Sequence, residues 1–302
     1  MKVVIICRPN DYAVTHANNN YNNNLFRTEV DINKMNKNYE CLKSVMNKHM
    51  IKYIDLTEYM PDGRNYLDFA NMLFVRDTFI STKKGIIIGN MKEKVRKYET
   101  QIIKYILQNR IFLNIMYQCE EDEILEGGDF IHNDNTSFIA TGTRTNMKAV
   151  KTLLEKDMFG TDKVVVIYTK NKDTSMYRIH LDCYFGLFNN NNCLLWDELI
   201  DKKSDVERYV VEYTRKDSNY VKTSFRNITL YEYLINNNYN VIPISTESQK
   251  HYGCNILDHP NGVVLVQDNE SFSKINNSIM VNFDEIHNMY GGIHCATNII
   301  NI

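Results

Sequence analysis

The chain has 302 residues, and its 35 lysines and arginines nearly balance its 37 aspartates and glutamates; a body of that length can bury about 75% of its unfolded surface. With no dense basic block, the charge pattern excludes a nucleic-acid or acidic-membrane partner and leaves a small molecule or a protein. Seven cysteines, irregularly spaced and without a CxxC pair, fit neither a disulfide framework nor a zinc site, so a reducing, cytoplasmic setting without a bound metal is expected.

The apolar run at residues 3–6 is too short for a signal segment or a membrane span and reads as a first β-strand. Further short strands are expected at 85–89, 137–141, 164–168, 192–196, 240–244 and 262–266. Between them, "MKEKVRKYETQIIKYILQN" has apolar residues at 91, 95, 98, 102 and 106, and "NMKAVKTLLEKDMFG" ends on Gly160; both read as helices. Strands alternating with helices give an α/β class. No stretch resembles an interdomain linker, so residues 1–302 are expected to form a single domain. Asparagine runs at 18–24, 189–192 and 236–238 fall where turns are expected, since Asn tolerates positive φ.

Four stretches carry polar residues that packing alone does not explain. In "NMLFVRDTF" (71–79), Arg76 and Asp77 follow an apolar run. In "LEGGDFIHNDNTSFIATGTRTN" (125–146), Glu126 and Asp129 bracket two glycines, a hairpin follows, and Arg144 lies beyond it. In "MYRIHLDCYFGLF" (176–188), an extended backbone sets His180 and Asp182 on one face, as an acid/base pair requires. Near the end, "MYGGIHCATNII" (289–300) sets two glycines before His294 and Cys295.

Together these offer a thiol, an imidazole, several carboxylates and a few arginines. A Cys–His pair serves proteases and other hydrolases alike. The surplus of carboxylates narrows the choice, because a planar guanidinium taken out of water needs several acceptors around it.

These motifs resemble the guanidino-group-modifying superfamily, and within it the arginine deiminases. Asn71, Phe74, Arg76 and Asp77 are similar to the deiminase Asn-x-x-Phe-x-Arg-Asp; Glu126 to Asp129 to its Glu-Gly-Gly-Asp; Arg144-Thr145 to its Arg-Thr; His180 to Asp182 to its His-Leu-Asp; and Gly291 to Cys295 to its Gly-Gly-x-x-Cys. "RKYET" (96–100) resembles a further family segment, which would make Arg96 a substrate contact. The resemblance implies a five-bladed α/β propeller (pentein) of ββαβ-type units, with the deiminases' added helical bundle absent and a size closer to dimethylarginine hydrolases.

It also implies that Cys295 attacks the guanidinium carbon and His180 serves as general acid and base. Asp77, Glu126 and Asp182 would hold the guanidinium, with Asn71, Phe74, Arg96, Asp129 and Arg144 in substrate binding and no metal or organic cofactor. The expected substrate is free L-arginine or a close derivative, giving citrulline and ammonia, and self-association is left open. Deiminases place arginines where this chain has Tyr290 and His294, and the His-Cys tail resembles agmatine deiminases and amidinotransferases. Amidino transfer on the same site, or guanidine binding without catalysis, are the alternatives.

Overall fold

The structure, a computed structural model, describes residues 1–61, 69–171, 173–201, 206–223 and 228–302. Strand β1 (Lys2–Ile6) leads into helices α1 (Asp11–Asn18) and α2 (Ile32–Lys48) and then β2 (Tyr53–Asp55), which returns parallel to β1. Next, β3 (Phe79–Ser81) and β4 (Ile86–Ile88) form an antiparallel pair, α3 (Glu99–Asn109) crosses over, and β5 (Ile115–Gln118) runs parallel to β4. A helix is the usual crossover, because parallel strands cannot be joined by a tight turn. The pattern recurs with β6 (Phe130–His132), β7 (Thr136–Ala140), α4 (Met147–Glu155) and β8 (Lys163–Tyr168).

It recurs again with β9 (Phe185–Phe188) and β10 (Asn192–Trp196). Here β11 (Tyr209–Lys216), β12 (Asn219–Lys222) and β13 (Ile228–Thr229) intervene and extend the preceding sheet through β8, before α5 (Leu230–Asn236) and β14 (Asn240–Ile244) complete the unit. After α6 (Thr246–Lys250), the strands β15 (Leu257–His259) and β16 (Val263–Val266), helix α7 (Asn269–Lys274) and β17 (Ser278–Met280) form one more. Finally β18 (Asn298–Asn301) pairs antiparallel with β1, Lys2 facing Asn301, and supplies the strand that the first unit lacks. The two ends of the chain thus close a ring of five sheets: an α/β propeller of ββαβ-type units.

The core explains why the middle strands read as continuous apolar runs. Val4 and Ile6 pack into one cluster and Val3 and Ile5 into another. Leu194 likewise faces a different cluster from Cys193 and Leu195, and Leu265 a different one from Val264 and Val266. Each middle strand is buried on both faces between neighbouring units, so period-2 alternation is absent.

The seven expected strands are present, with ends shifted by at most a residue or so. Two helical expectations need trimming: Lys94–Arg96 is a 3₁₀ turn ahead of α3, and α4 stops at Glu155, leaving Gly160 at φ 71° in the following turn. The asparagine runs lie in turns apart from their end residues Asn18, Asn192 and Asn236, which belong to α1, β10 and α5, and Asn189, Asn190 and Asn238 have positive φ. Among the described residues no helix is long and apolar enough to cross a membrane, and all seven cysteines are free.

Candidate active site

The candidate residues come from turns at the strand ends, not from the strands themselves. Asp77 lies on the 3₁₀ turn Val75–Thr78, Glu126 and Asp129 flank and end the turn Gly127–Asp129, and Asp182 lies on Leu181–Cys183. The last of these corrects the extended reading of 180–182. His180 is extended, but the chain then coils, and the two side chains find separate carboxylate and thiol neighbours. His180 Nε2 lies 2.8 Å from Glu126 Oε2, while Asp182 Oδ2 lies 2.8 Å from His294 Nδ1 and 3.5 Å from Cys295 Sγ.

Close approach, more than backbone freedom, accounts for the glycines. A Cβ on Gly128 would fall 2.8 Å from both Asp77 Oδ1 and the His180 ring, so its absence lets those groups meet. On Gly291 a Cβ would fall 2.1 Å from the Phe74 ring, and on Gly292 2.2 Å from Gln267 Nε2. Neither Gly291 nor Gly292 has positive φ; the left-handed residue of this turn is Tyr290, at φ 58°.

Cys295 is fixed by residues that sequence reasoning missed. Asn255 Nδ2 donates to Cys295 Sγ at 3.1 Å, and its Oδ1 accepts from the backbone N–H groups of His294 and Cys295. Gln267 Oε1 accepts from Ile293 N at 2.7 Å. Arg76, seen only as part of a motif, donates from Nε to His294 O at 3.2 Å and from Nη1 to Asn298 Oδ1 at 3.1 Å, stapling the tail to the turn that carries Asp77. The His-Cys pair could have drawn attention to His294, but nothing local in "YGCN" marks Asn255.

The remaining candidates are held internally. Arg96 Nη1 lies 2.6 Å from Asp77 Oδ2, and its Nε lies 2.9 Å from Glu99 Oε2. Its Nη2 also donates to the Asn71 and Phe74 carbonyls. Arg144 approaches Glu126 Oε2 at 3.5 Å and Glu93 Oε1 at 3.8 Å. Arg96 is thus held closely by its carboxylates, Arg144 at longer range. Asn71 donates its side-chain amide to Asn24 O, Phe74 packs on Gly291, and Asp129 Oδ1 accepts from Leu181 N, bracing the His180 segment.

The charges follow from this geometry. Burial opposes the His180 imidazolium, but Asp77, Glu126 and Asp129 outweigh it and raise its pKa to about 9. Burial likewise opposes the Glu126 carboxylate, but His180 and Arg144 hold it at about 2. Burial lifts Asp129 to about 7 and pushes the Cys295 thiol well up, with Asp182 adding to the latter. At rest the site therefore pairs an imidazolium with a protonated thiol.

Asp77, Glu126 and His180 each bring a potential ligand atom within 4.8 Å of the others. Arg96 and Arg144 already stand against the two carboxylates. One acceptor is still open: Asp77 Oδ1 is buried without a hydrogen-bond partner, 3.7 Å from His180 Nδ1. A cavity of about 580 Å³ opens beside His180 and Asp129, with Lys92, Glu93 and Arg208 in its wall.

Comparison with known proteins bears on family and fold. A family description for arginine deiminase matches residues 12–301. Over 201 residues the chain is 22% identical to the uncharacterized protein YkgA of Bacillus subtilis, covering 67% of this chain and 64% of that one. Over 163 residues it is 30% identical to the arginine deiminase of Metamycoplasma arthritidis, covering 51% of this chain and only 38% of the deiminase.

Among solved structures, the dimethylarginine dimethylaminohydrolase of Pseudomonas aeruginosa complexed with citrulline superposes with a TM-score of 0.69 at 17% identity, over 98% of this chain and 97% of that one. The N-terminal domain of the cyanobacterial arginine dihydrolase ArgZ, bound to product, gives 0.70 at 12%, over 98% and 96%. Both likenesses are of fold. With its propeller and the match across nearly its whole length, the chain belongs to the arginine deiminase family.

Proposed function

We propose that the protein hydrolyses the guanidinium group of free L-arginine, or of a close derivative, to the ureido product and ammonia through a covalent adduct on Cys295. The observation that carries this reading is Asp77 Oδ1, a buried carboxylate oxygen that makes no hydrogen bond and has the His180 Nδ1 only at 3.7 Å. A buried acceptor left unmade is costly, and a guanidinium N–H is a strong donor for it. Asp182, whose Oδ2 lies 3.5 Å from Cys295 Sγ, would offer a second carboxylate to the same planar cation. Glu126 is better employed in orienting and charging His180.

In this reading the bound cation favours the thiolate that burial otherwise disfavours, and the thiol proton passes to solvent water. The sulfur attacks the guanidinium carbon, giving a tetrahedral adduct. His180, an imidazolium at neutral pH, gives its proton to the departing nitrogen, and ammonia leaves. A thiouronium remains on Cys295. The neutral His180 then takes a proton from water as the oxygen adds to the same carbon, and the carbon–sulfur bond breaks to release the ureido product and restore the thiol. Arginine and water are consumed, and citrulline and ammonia are formed.

The test is incubation of the purified protein with L-arginine, agmatine and methylated arginines, measuring ammonia and ureido product. Equimolar ammonia and citrulline from arginine is the expected result. An amidinated acceptor formed without ammonia would assign transfer instead, and no turnover of any guanidine would reject the reading.

A further inference from the structure

The fourth unit departs from the others. Between β10 and α5 it carries the strands β11, β12 and β13, which leave that unit and join the sheet of the third through β8. Arg208 lies directly ahead of β11, where the chain crosses from one unit to the other. It is buried, and it shares the wall of the cavity of about 580 Å³ with His180.

This one side chain makes three contacts. Nη2 donates to Asp173 Oδ2 at 2.7 Å, Nη1 donates to Val206 O at 2.7 Å, and the guanidinium carbon lies 4.9 Å from the ring centre of Tyr184. Asp173 is held a second time, by Arg178 through Nε at 2.9 Å and Nη2 at 3.2 Å, and its Oδ1 accepts from Ser175 N at 3.0 Å. Arg178 in turn stands 4.9 Å from the ring centre of Trp196.

His180 is extended, at φ −124° and ψ 163°; the 3₁₀ turn Met176–Arg178 precedes it and the turn Leu181–Cys183 follows. Turns this short have poor hydrogen-bond geometry of their own, so the aim of the imidazole depends on what anchors them. The turn ahead is anchored by Arg178 on Asp173. The turn behind is anchored by Leu181 N on Asp129 Oδ1 at 3.1 Å and by Tyr184, which follows it. Arg208 touches both anchors, Asp173 before His180 and Tyr184 after it. Asp182, in the same stretch, has ties of its own: His294 Nδ1 at 2.8 Å on its carboxylate and Asn255 Nδ2 at 3.2 Å on its carbonyl. The brace from Arg208 therefore bears on His180 more than on Asp182.

We infer that Arg208 is a positioning residue for His180: from the root of the inserted strands it clamps the segment 173–184 at both ends and fixes the aim of the imidazole at Glu126. The inference rests on the hydrolase reading for the chemistry that His180 performs. It gives the inserted strands a role at the site, because the pairing of β11 with β8 fixes the backbone from which Arg208 reaches. A lysine would pair with Asp173 but has no planar fork to reach Val206 O and stack on Tyr184 at the same time. Arg178 keeps Asp173 paired when Arg208 is removed, so the loss is one of alignment and not of a carboxylate left alone. A displacement of about 1 Å in a reacting group costs up to about a hundredfold in rate.

The experiment compares Arg208→Gln and Arg208→Lys with a control, Arg215→Gln, which breaks the pair of Arg215 with Asp157 further along β11. For each, kcat and KM for L-arginine, the melting temperature and the His180 ring signal in carbon NMR are recorded, the signal being identified by its loss in His180→Asn. Arg208→Gln should lower kcat at least about tenfold with KM changed by less than about threefold, and should move the His180 signal. Arg208→Lys, which keeps a cation on Asp173 and with it the fold, should lie between Arg208→Gln and the parent. Arg215→Gln should lower the melting temperature and leave kcat and the His180 signal as in the parent. A His180 signal unmoved in both Arg208 variants, a kcat unchanged in both, or an equal fall of kcat in Arg215→Gln would overturn the assignment. Failure of the hydrolase reading appears separately, as absence of ureido product from the parent protein while the His180 signal still moves in Arg208→Gln.

Discussion

Asp182 Oδ2 lies 3.5 Å from Cys295 Sγ and 2.8 Å from His294 Nδ1, so one carboxylate oxygen faces the thiol and the imidazole that precedes it in the chain. Burial, and then that oxygen, raise the thiol pKa, which is unfavourable for a free nucleophile; a bound cation opposes the effect. Cys295→Ala should therefore abolish product formation and still bind a guanidine, because the carboxylates remain. Asp182→Asn should reduce kcat/KM by more than about thirtyfold, a loss of roughly 2 kcal/mol in the transition state. Steady-state kinetics and calorimetric titration separate the two effects, and turnover by Cys295→Ala within tenfold of the parent would exclude a sulfur-bound intermediate.

The acid/base group carries a pH signature in stability as well as in rate. His180 has a folded-state pKa of about 9 against 6.5 for the ordinary imidazole. Its stabilising contribution is complete below about 6.5 and is lost as pH rises through about 9. Glu126, held at about 2 against 4.5, acts in the opposite sense: its contribution is present above about 4.5 and is lost as pH falls through about 2. The melting temperature of the parent should decline between pH 6.5 and 9, and that decline should flatten in His180→Asn. The same variant should lose at least about a hundredfold in kcat. An identical alkaline slope in both proteins would assign the titration to another group.

The middle strands were legible because burial on both faces makes them short, uninterrupted apolar runs. The ring closure was not legible from spacing, since the pairing of Lys2 with Asn301 joins residues at opposite ends of the chain. Glu126 and Cys295 could be named because a carboxylate and a thiol stand close to glycine pairs, and Asp77 and His180 because their segments resemble the deiminase motifs. Their mutual arrangement could not. Alternation along a strand put His180 beside Asp182, whereas the 3₁₀ turn Leu181–Cys183 rotates Asp182 toward His294 and sends His180 to Glu126, 54 positions away. Asn255 and Gln267 were invisible because they act through tertiary contacts, with no local pattern to announce them.

Asn255 touches the thiol, a backbone carbonyl and two backbone N–H groups at once. Asn255→Ala leaves the His294 and Cys295 N–H donors buried and unpaired, at about 1–3 kcal/mol each. Denaturant unfolding should show a loss in that range, and kcat should fall more than KM rises because the sulfur is no longer held. A rise in KM alone, at unchanged kcat, would place Asn255 outside the positioning of Cys295.

Gly291→Ala sets a methyl group into the Phe74 ring, 2.1 Å from Cε1 and 2.5 Å from Cζ. The ring is buried and cannot swing into solvent. Overpacking of this kind costs about 1–3 kcal/mol and should displace the turn that leads to Cys295, lowering both the melting temperature and kcat. Phe74→Leu added to Gly291→Ala should recover at least half of the lost melting temperature. Strictly additive losses in the double variant would show that the two residues do not compete for the same space.

Arg96 decides between two roles for a buried arginine. As a substrate contact, its removal would weaken arginine selectively and leave the fold alone. In the structure it stands between Asp77 and Glu99, both buried, and burial already lifts Glu99 to about 7 despite the guanidinium beside it. Arg96→Ala therefore leaves two carboxylates without their cation, a change that costs about 3–5 kcal/mol when a buried pair is broken from one side. Turnover of arginine and agmatine should fall together, since the position of Asp77 serves the guanidinium that both share. Adding Glu99→Gln to Arg96→Ala should restore part of the stability by removing one uncompensated charge, with little recovery of activity because Asp77 is still unsupported. Melting temperatures and the ratio of the two catalytic efficiencies check this. A stable Arg96→Ala protein that loses arginine alone would return Arg96 to the role of an anion contact.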